Sequence, residues 1–332
     1  MFARRGPQPI LREAARLCLL LFAVSVVTFL LVGASPIDPV QANVGQVGYL
    51  SMSAERRAVL EARWGVDEPI LSRYAAWAAG ALHGDLGTSL RFNAPVVQVV
   101  GERLASSAGL LLAAWSISGL LGLVLGVLAG SREGSLLDRG VRTCCYLLAA
   151  TPAFWLALLA LTVFGVWLGW FPLGFSVPLG ASAGSVTLAD RLHHMVLPAL
   201  VLSIAGVSGI ALHTREKTIE VLSSDYARFA RARGESGWTL LRRHGLRNLV
   251  MPAVTLQCAS IGEVVGGSVL IEEVFSYPGL GQAAVTAALG GDAPLLVGIA
   301  LATSLIVFIG NLIANVLQGV IDPRVRAGAS HG

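Results

Sequence analysis

A phosphate-binding loop of the form GxxxxGK[ST] needs a lysine that reaches the β- and γ-phosphates. The sequence has one lysine, Lys217, and Glu216 stands before it where glycine is required. The chain therefore holds no ATP site of that kind. It has no HExxH pair, and its serine, histidine and aspartate residues are scattered without a catalytic arrangement. His193, His194 and Met195 are ligand types for a soft metal. Neighbours on a helix point about 100° apart, so the two imidazoles do not easily meet one ion. Anchoring at a membrane boundary is the better reading. Cys18, Cys144, Cys145 and Cys258 fall in apolar stretches with no CxxC pair, and read as small hydrophobes rather than ligands or a disulfide framework. Glu263 interrupts an apolar run. A carboxylate at mid-membrane costs at least about 2.5 kcal/mol, so it should face a bundle interior or a wet cavity. It is the candidate for a substrate pathway, where it would meet a cationic group; a protonated or internally paired glutamate is the alternative. Asp85 lies between Gly84 and Gly87, a composition suited to a tight turn in a loop able to make contacts.

The elements that must position these residues follow from composition. Of 332 residues, 55% are hydrophobic and 13% charged, about half the charge of an average soluble domain. The mean hydropathy is +0.70. These values exclude a disordered chain, a soluble enzyme with a polar skin and a disulfide-stapled domain, and indicate an all-α polytopic membrane protein. A crossing helix needs about 20 apolar residues. Six stretches meet or approach this: Leu17–Gly33, Ala105–Gly130, Thr143–Trp170, Met195–His213, Leu249–Ile271 and Pro294–Ile321. The uncharged run from Thr143 to Ala189 is 47 residues long, and Pro172, Pro178 and several glycines break its second half. It reads as one helix and an irregular outer loop, with a re-entrant segment in 171–190 as the alternative.

Charge orients these spans. Seventeen of the 24 cations lie in the first 16 residues, the Ser131–Arg142 turn, the Thr214–Val250 loop and the tail. The positive-inside rule then places both termini in the cytoplasm and the long first loop outside. The expected organisation is a cytoplasmic N-terminus and first span over 1–33, an extracytoplasmic loop over 34–104, a transmembrane core over 105–321 and a cytoplasmic tail over 322–332. Arginines before the first apolar run also suit a cleavable signal peptide, but retention as an anchor is the preferred reading. The net charge of +4 is distributed for orientation and does not suggest a nucleic-acid partner.

The most informative loop segment is DYARFARARGESGWTLLRRHGLRN, Asp225–Asn248. Ala227, Ala230 and Gly234 recur at helical spacing with arginines on other faces. A short basic helix of this kind could lie on anionic headgroups, or enter a groove on a cytoplasmic partner. Ala230, Ala232, Gly234, His244, Arg247-Asn248 and Pro252 resemble the EAA-type loop of ABC importer permeases. More narrowly they resemble the peptide-permease run "DYVRTARAKG…HALRN…P". Three further blocks are similar to the dipeptide/oligopeptide permease family, which includes nickel and metallophore permeases. They are RWGVDEPILSRYAAWAAGALHGDLGTSL (Arg63–Leu90), IEEVFSYPGLG (Ile271–Gly281), and Asn311 with IDPRVR (Ile321–Arg326). Trp64-Gly65 replaces the more common Leu-Gly, and Glu263 replaces an apolar residue. The blocks span nearly the whole chain in the expected order, and are closest to the first-permease type with a long extracytoplasmic loop.

The resemblance implies a type I importer permease with six transmembrane helices. It implies a coupling helix at about 225–240, with Asp225, Tyr226, Ala230, Ala232, Gly234 and His244 meeting an ATPase. It further implies two nucleotide-binding ATPase subunits that hold ATP and Mg, a homologous second permease, an extracytoplasmic substrate-binding protein, and a bacterial or archaeal inner membrane. No cofactor is expected in this chain. Gly84, Asp85 and Gly87 are expected at an outer gate or binding-protein contact. Peptides are the expected cargo, and chelated nickel the alternative. A secondary transporter would need its own ion pathway, for which one intramembrane acid is thin support.

Overall fold

The computed structural model describes residues 8–64, 68–178, 180, 185–235 and 237–321. Arg4, Arg5, Gly65 and the tail carrying Asp322–Arg326 lie outside them, as do the side chains of His244, Arg247 and Asn248. The chain is mostly helical. The first helix is α1 (Gln8–Gly33), and the outer segment read from sequence then holds α2 (Pro39–Val44), α3 (Gln46–Ser51), α4 (Ala54–Trp64) and α5 (Ile70–Leu82). A two-residue pair follows, β1 (Thr88–Ser89) antiparallel to β2 (Ala94–Pro95), with Thr88 opposite Pro95. The remaining helices are α6 (Val96–Gly130), α7 (Leu136–Ala150), α8 (Ala153–Ala160), α9 (Leu188–Ser223), α10 (Asp225–Ala232), α11 (Gly237–Leu240), α12 (Leu246–Ala259), α13 (Ile261–Val274), α14 (Leu280–Leu289) and α15 (Ala293–Ile321). Wide turns, Leu161–Trp167 and Leu241–Gly245, continue α8 and precede α12.

Among the described residues, three helices are long and apolar enough to cross a membrane, and the count reaches six if each of three bent pairs is one span. The sequence expectation of one helix over Thr143–Trp170 needs correcting. α7 and α8 meet at 104°. Pro152 has no N–H to donate, and it forces Thr151 into an extended conformation at φ −94°, ψ 128°. The stretch read as Leu249–Ile271 is also broken, with α12 and α13 bent by 51° around Ser260. Local chemistry sets the other ends. Thr187 and Asp190 form a reciprocal capping box at the start of α9. The Ser135 hydroxyl accepts from Asp138 N–H and caps α7.

Contacts divide the chain into two compact units, Met1–Ser107 with Pro278–Phe308, and Ala108–Tyr277 with Ile309–Gly332. In the first, Phe29 of α1 packs with Tyr74 and Trp77 of α5 and with Ala293 and Val297 of α15. A second cluster joins the start of α6 to α14 and α15 through Val96, Val99, Leu280, Ala283 and Leu295. In the other unit, the main core is Leu110 and Ala114 of α6, Ala157 of α8, Leu197 and Leu202 of α9, and Ile271 and Phe275. Many apolar side chains of the spans point outward, among them Leu19, Phe22 and Leu31 of α1. Exposed apolar surface on this scale suits lipid or partner helices.

Candidate functional site

The loop singled out from sequence is built on the paired ends of α6 and α9. Gly122, Gly126 and Gly130 recur every fourth residue on α6 and let α9 come within backbone contact. A Cβ on Gly126 would lie 2.6 Å from the Ala211 carbonyl oxygen, and one on Gly130 would lie 2.6 Å from that of Arg215. Small residues at this spacing remove the side-chain barrier between two membrane helices. Thr214 and Thr218 of α9 are buried opposite these glycines.

A fully buried carboxylate locks the same end. Asp138 accepts two hydrogen bonds from the Arg215 guanidinium, with Arg215 Nη2 to Oδ2 at 2.8 Å, and another from Gly134 N–H at 2.9 Å. Arg142 stands 3.8 Å away. The bidentate fork fixes the α6–α7 turn to α9 across 77 residues of sequence. Sequence reading passed over Asp138. The signal was present as Ser135-x-x-Asp138, an N-cap pattern that explains the backbone but does not announce the distant arginine.

On this base sits α10. Asp225 is in its first turn and Arg231 in its last, as the helix dipole favours. Ala227 and Ala230 are buried against Leu222 and Leu240. The close approach that Ala227 and Ala230 permit is used inside the chain, to seat α10 on α9 and α11, while Ala232 and Gly234 are exposed. The outward face carries Tyr226, Arg228, Phe229, Ala232 and Arg233, all exposed, with Arg233 6.0 Å over the Phe229 ring. Gly234 ends the helix at φ +89°. Its N–H bonds to the Arg231 carbonyl, and Glu235 N–H reaches back to Ala230, which is the paired closure that a left-handed residue permits. His244 falls in the wide turn Leu241–Gly245.

Residues 122–327 match the family model described as "Binding-protein-dependent transport system inner membrane component", and residues 8–109 match the model for the N-terminal part of such membrane components. The chain belongs to this family. It is 33% identical to the oligopeptide transport system permease protein AppB of Bacillus subtilis over 308 residues, covering 92% of this chain and 95% of the relative. It is 35% identical to a putative peptide permease protein of Brucella suis over the same shares of the two chains. It is 33% identical to the di/tripeptide transport system permease protein DppB of Pseudomonas aeruginosa, over 94% of this chain and 98% of the relative. The chain is thus a multi-pass membrane permease component rather than an enzyme.

The remaining expected residues of this permease lie elsewhere. Glu263 is exposed in the first turn of α13, directly after the bend at Ser260. The positive end of a helix favours a carboxylate there, a reason the unbroken sequence pattern did not offer. Near the same bend, Gln257 donates to Ser118 Oγ at 3.1 Å, and Trp115 Nε1 donates to the Gln257 carbonyl at 2.9 Å, tying α12 to α6. His193 and His194 do not converge. One ring meets the Trp170 carbonyl at 2.9 Å and the other the Gly174 carbonyl at 3.1 Å, and they pin the loop after Trp167. That loop also bonds to the IEEVFSYPGLG block, Phe175 N–H to the Phe275 carbonyl at 2.9 Å, with Gly174 too close to Phe275 for any Cβ. Glu272 of that block is fully buried and Glu273 exposed.

Asp85 is exposed and accepts from Gly87 N–H at 2.8 Å, with Gly84 and Gly87 at φ +87° and +85°. It closes the turn its neighbours suggested. A buried acid missed by sequence reading, Asp292, holds the next turn. It accepts from Ser89 Oγ at 2.6 Å, Arg91 N–H at 3.0 Å and Leu295 N–H at 3.2 Å. The Asp292-Ala293-Pro294 order was the available signal, an N-cap followed by a proline in the first turn.

Proposed function

We propose that the chain is a transmembrane subunit of an ATP-driven peptide importer. It forms half of a translocation pathway together with a homologous permease, in a bacterial inner membrane. The relatives' names as peptide permeases, each spanning more than nine-tenths of this chain, carry the cargo class. The exposed aromatic and basic face of α10 carries the coupling role. An extracytoplasmic protein delivers the peptide, and paired ATPase subunits bind against Tyr226, Phe229 and Arg233. The seat of Ala227 and Ala230 on Leu240 makes α10 a rigid lever, so closure of the ATPases on ATP moves α9 and α12 with it. Nucleotide biases two arrangements of one element, which is the physical content of coupling. Both termini and α10 lie in the cytoplasm in this arrangement, as the arginine bias requires.

The test is reconstitution of the purified complex in vesicles with a labelled peptide and ATP. Phe229→Asp places a charge in the proposed contact without disturbing the buried seat. It should abolish ATP-driven uptake and lower recovery of the ATPase with the tagged permease, while the chain remains in the membrane. Unchanged recovery and uptake would overturn the coupling assignment. Glu263 lines the pathway in this reading. Glu263→Gln should lower uptake of peptides with a free amino terminus more than uptake of amino-blocked ones, and equal effects on both would remove it from the pathway.

A further inference from the structure

Behind α10 lies a cavity of about 370 Å³, within the size range of small-ligand sites. Val127, Leu222 and Leu241 are among its apolar walls, and Ser131, Arg132 and Arg231 line it as well. Among the described residues, no acidic side chain lines it. Both arginines are exposed, and among the described residues neither makes an ion pair. Of the other cations of this end, Arg215 and Arg142 pair with Asp138, Arg228 with Asp225 and Arg243 with Glu235, while Arg139, Arg233 and Arg242, which like the two arginines make no ion pair among the described residues, do not line the cavity. Two guanidinium groups left for an outside anion, beside an apolar hollow at the end of the α6 and α9 spans, match one chemistry: a phosphate ester carried on a hydrocarbon chain.

We propose that this cavity binds an anionic phospholipid of the inner leaflet. The headgroup phosphate lies between Arg132 and Arg231, and the start of an acyl chain lies against Val127, Leu222 and Leu241. The lipid fills the space between α10 and the end of α6, and so backs the coupling helix from the side opposite its exposed face. Charge complementarity selects the occupant, since a cytoplasmic-side basic pocket between membrane helices attracts acidic lipid headgroups. The inference rests on the proposed placement of this end in the cytoplasm.

The experiment uses the complete complex in nanodiscs of phosphatidylcholine alone or mixed with phosphatidylglycerol, followed by release into mild detergent and native mass spectrometry of the lipids retained. The wild type should keep phosphatidylglycerol over phosphatidylcholine. Arg132→Gln with Arg231→Gln should weaken that retention roughly thirty-fold, about five-fold for each arginine. The corresponding double lysine variant should retain most of it. Ser131→Trp, which crowds the cavity and keeps both charges, should also lose the lipid. Equal phosphatidylglycerol on wild type and the glutamine variant, or on wild type and Ser131→Trp, overturns the proposal. Displacement by soluble glycerol phosphate overturns it too, because the site then reads a free phosphate. Nanodiscs present the same lipid on both faces, so the result is independent of orientation. Orientation is read separately by labelling Arg132→Cys with an impermeant thiol reagent in intact cells lacking the native cysteines. Labelling from outside would remove the cytoplasmic placement while leaving the lipid measurement standing.

Discussion

Asp138 and Asp292 are both fully buried carboxylates that fix a turn to a distant helix, and they do so with opposite chemistry. Asp138 is held by a guanidinium fork, with a second arginine nearby. Asp292 is held by a hydroxyl and two backbone N–H groups, all neutral, the most distant 203 residues away in sequence. The first arrangement balances a charge with a charge, and losing either partner strands the other. The second spreads one charge over dipoles that the fold would have to satisfy anyway. The ion pair therefore belongs where two helices must keep one register beneath α10. The dipole cradle belongs where a loop is simply closed.

The largest effect should come from Asp138→Ala. It leaves the mostly covered Arg215 unpaired, a change worth up to about 3 kcal/mol, the low end for breaking a buried ion pair. The expected outcome is loss of uptake and of detergent-stable complex, measured by transport and by a thermal melt of the purified assembly. Replacing both partners, as Asp138→Leu with Arg215→Met, should restore part of the melt because no charge is stranded. A double variant as unstable as the single would show that the pair does more than compensate itself.

Asp292→Ala should cost less, about 1–3 kcal/mol, because it strands only neutral donors near the protein surface turn. Asp292→Asn should be about as costly, since the amide oxygen accepts from Leu295 N–H and the nitrogen can donate to the Ser89 hydroxyl, but that nitrogen leaves Arg91 N–H without its acceptor. The same asparagine exchange at Asp138 should be severe. If the two asparagine variants melt alike, the distinction between paired charge and dipole cradle fails.

The six apolar runs were legible in sequence because lipid demands length and hydropathy, which are local properties. The arginine asymmetry and the Asp225–Asn248 block were legible for the same reason. What was not legible is what depends on two distant residues meeting. Glu263 looked like a lone charge in mid-span, because the bend at Ser260 that gives it a helix start is not written in hydropathy. The Ala227 and Ala230 stripe announced close packing but not its partner, and Leu240 took the place expected for another subunit. Asp138 and Asp292 showed their capping patterns, yet neither pattern names Arg215 or Ser89. His193 and His194 each meet a different loop carbonyl, a pairing that helical spacing alone does not name.

The smallest effect sharpens the comparison by removing both charge and burial from it. Gly234 is exposed, and a Cβ there meets nothing within 4 Å. Any cost of Gly234→Ala is therefore the cost of a left-handed backbone, about 1–2 kcal/mol. Gly234→Asn should cost less, as asparagine tolerates that region. The end of α10 loses its closure onto Ala230 and Arg231 as the conformation shifts, so uptake should fall by a modest factor in alanine and less in asparagine, with the melt of the assembly lowered a little in alanine and less in asparagine. A melt lowered further than by Asp292→Ala would mean that the end of α10, and not the buried carboxylate links, sets the stability of this region. An uptake loss equal in alanine and asparagine would mean that Gly234 is needed for close approach of a partner rather than for its own φ.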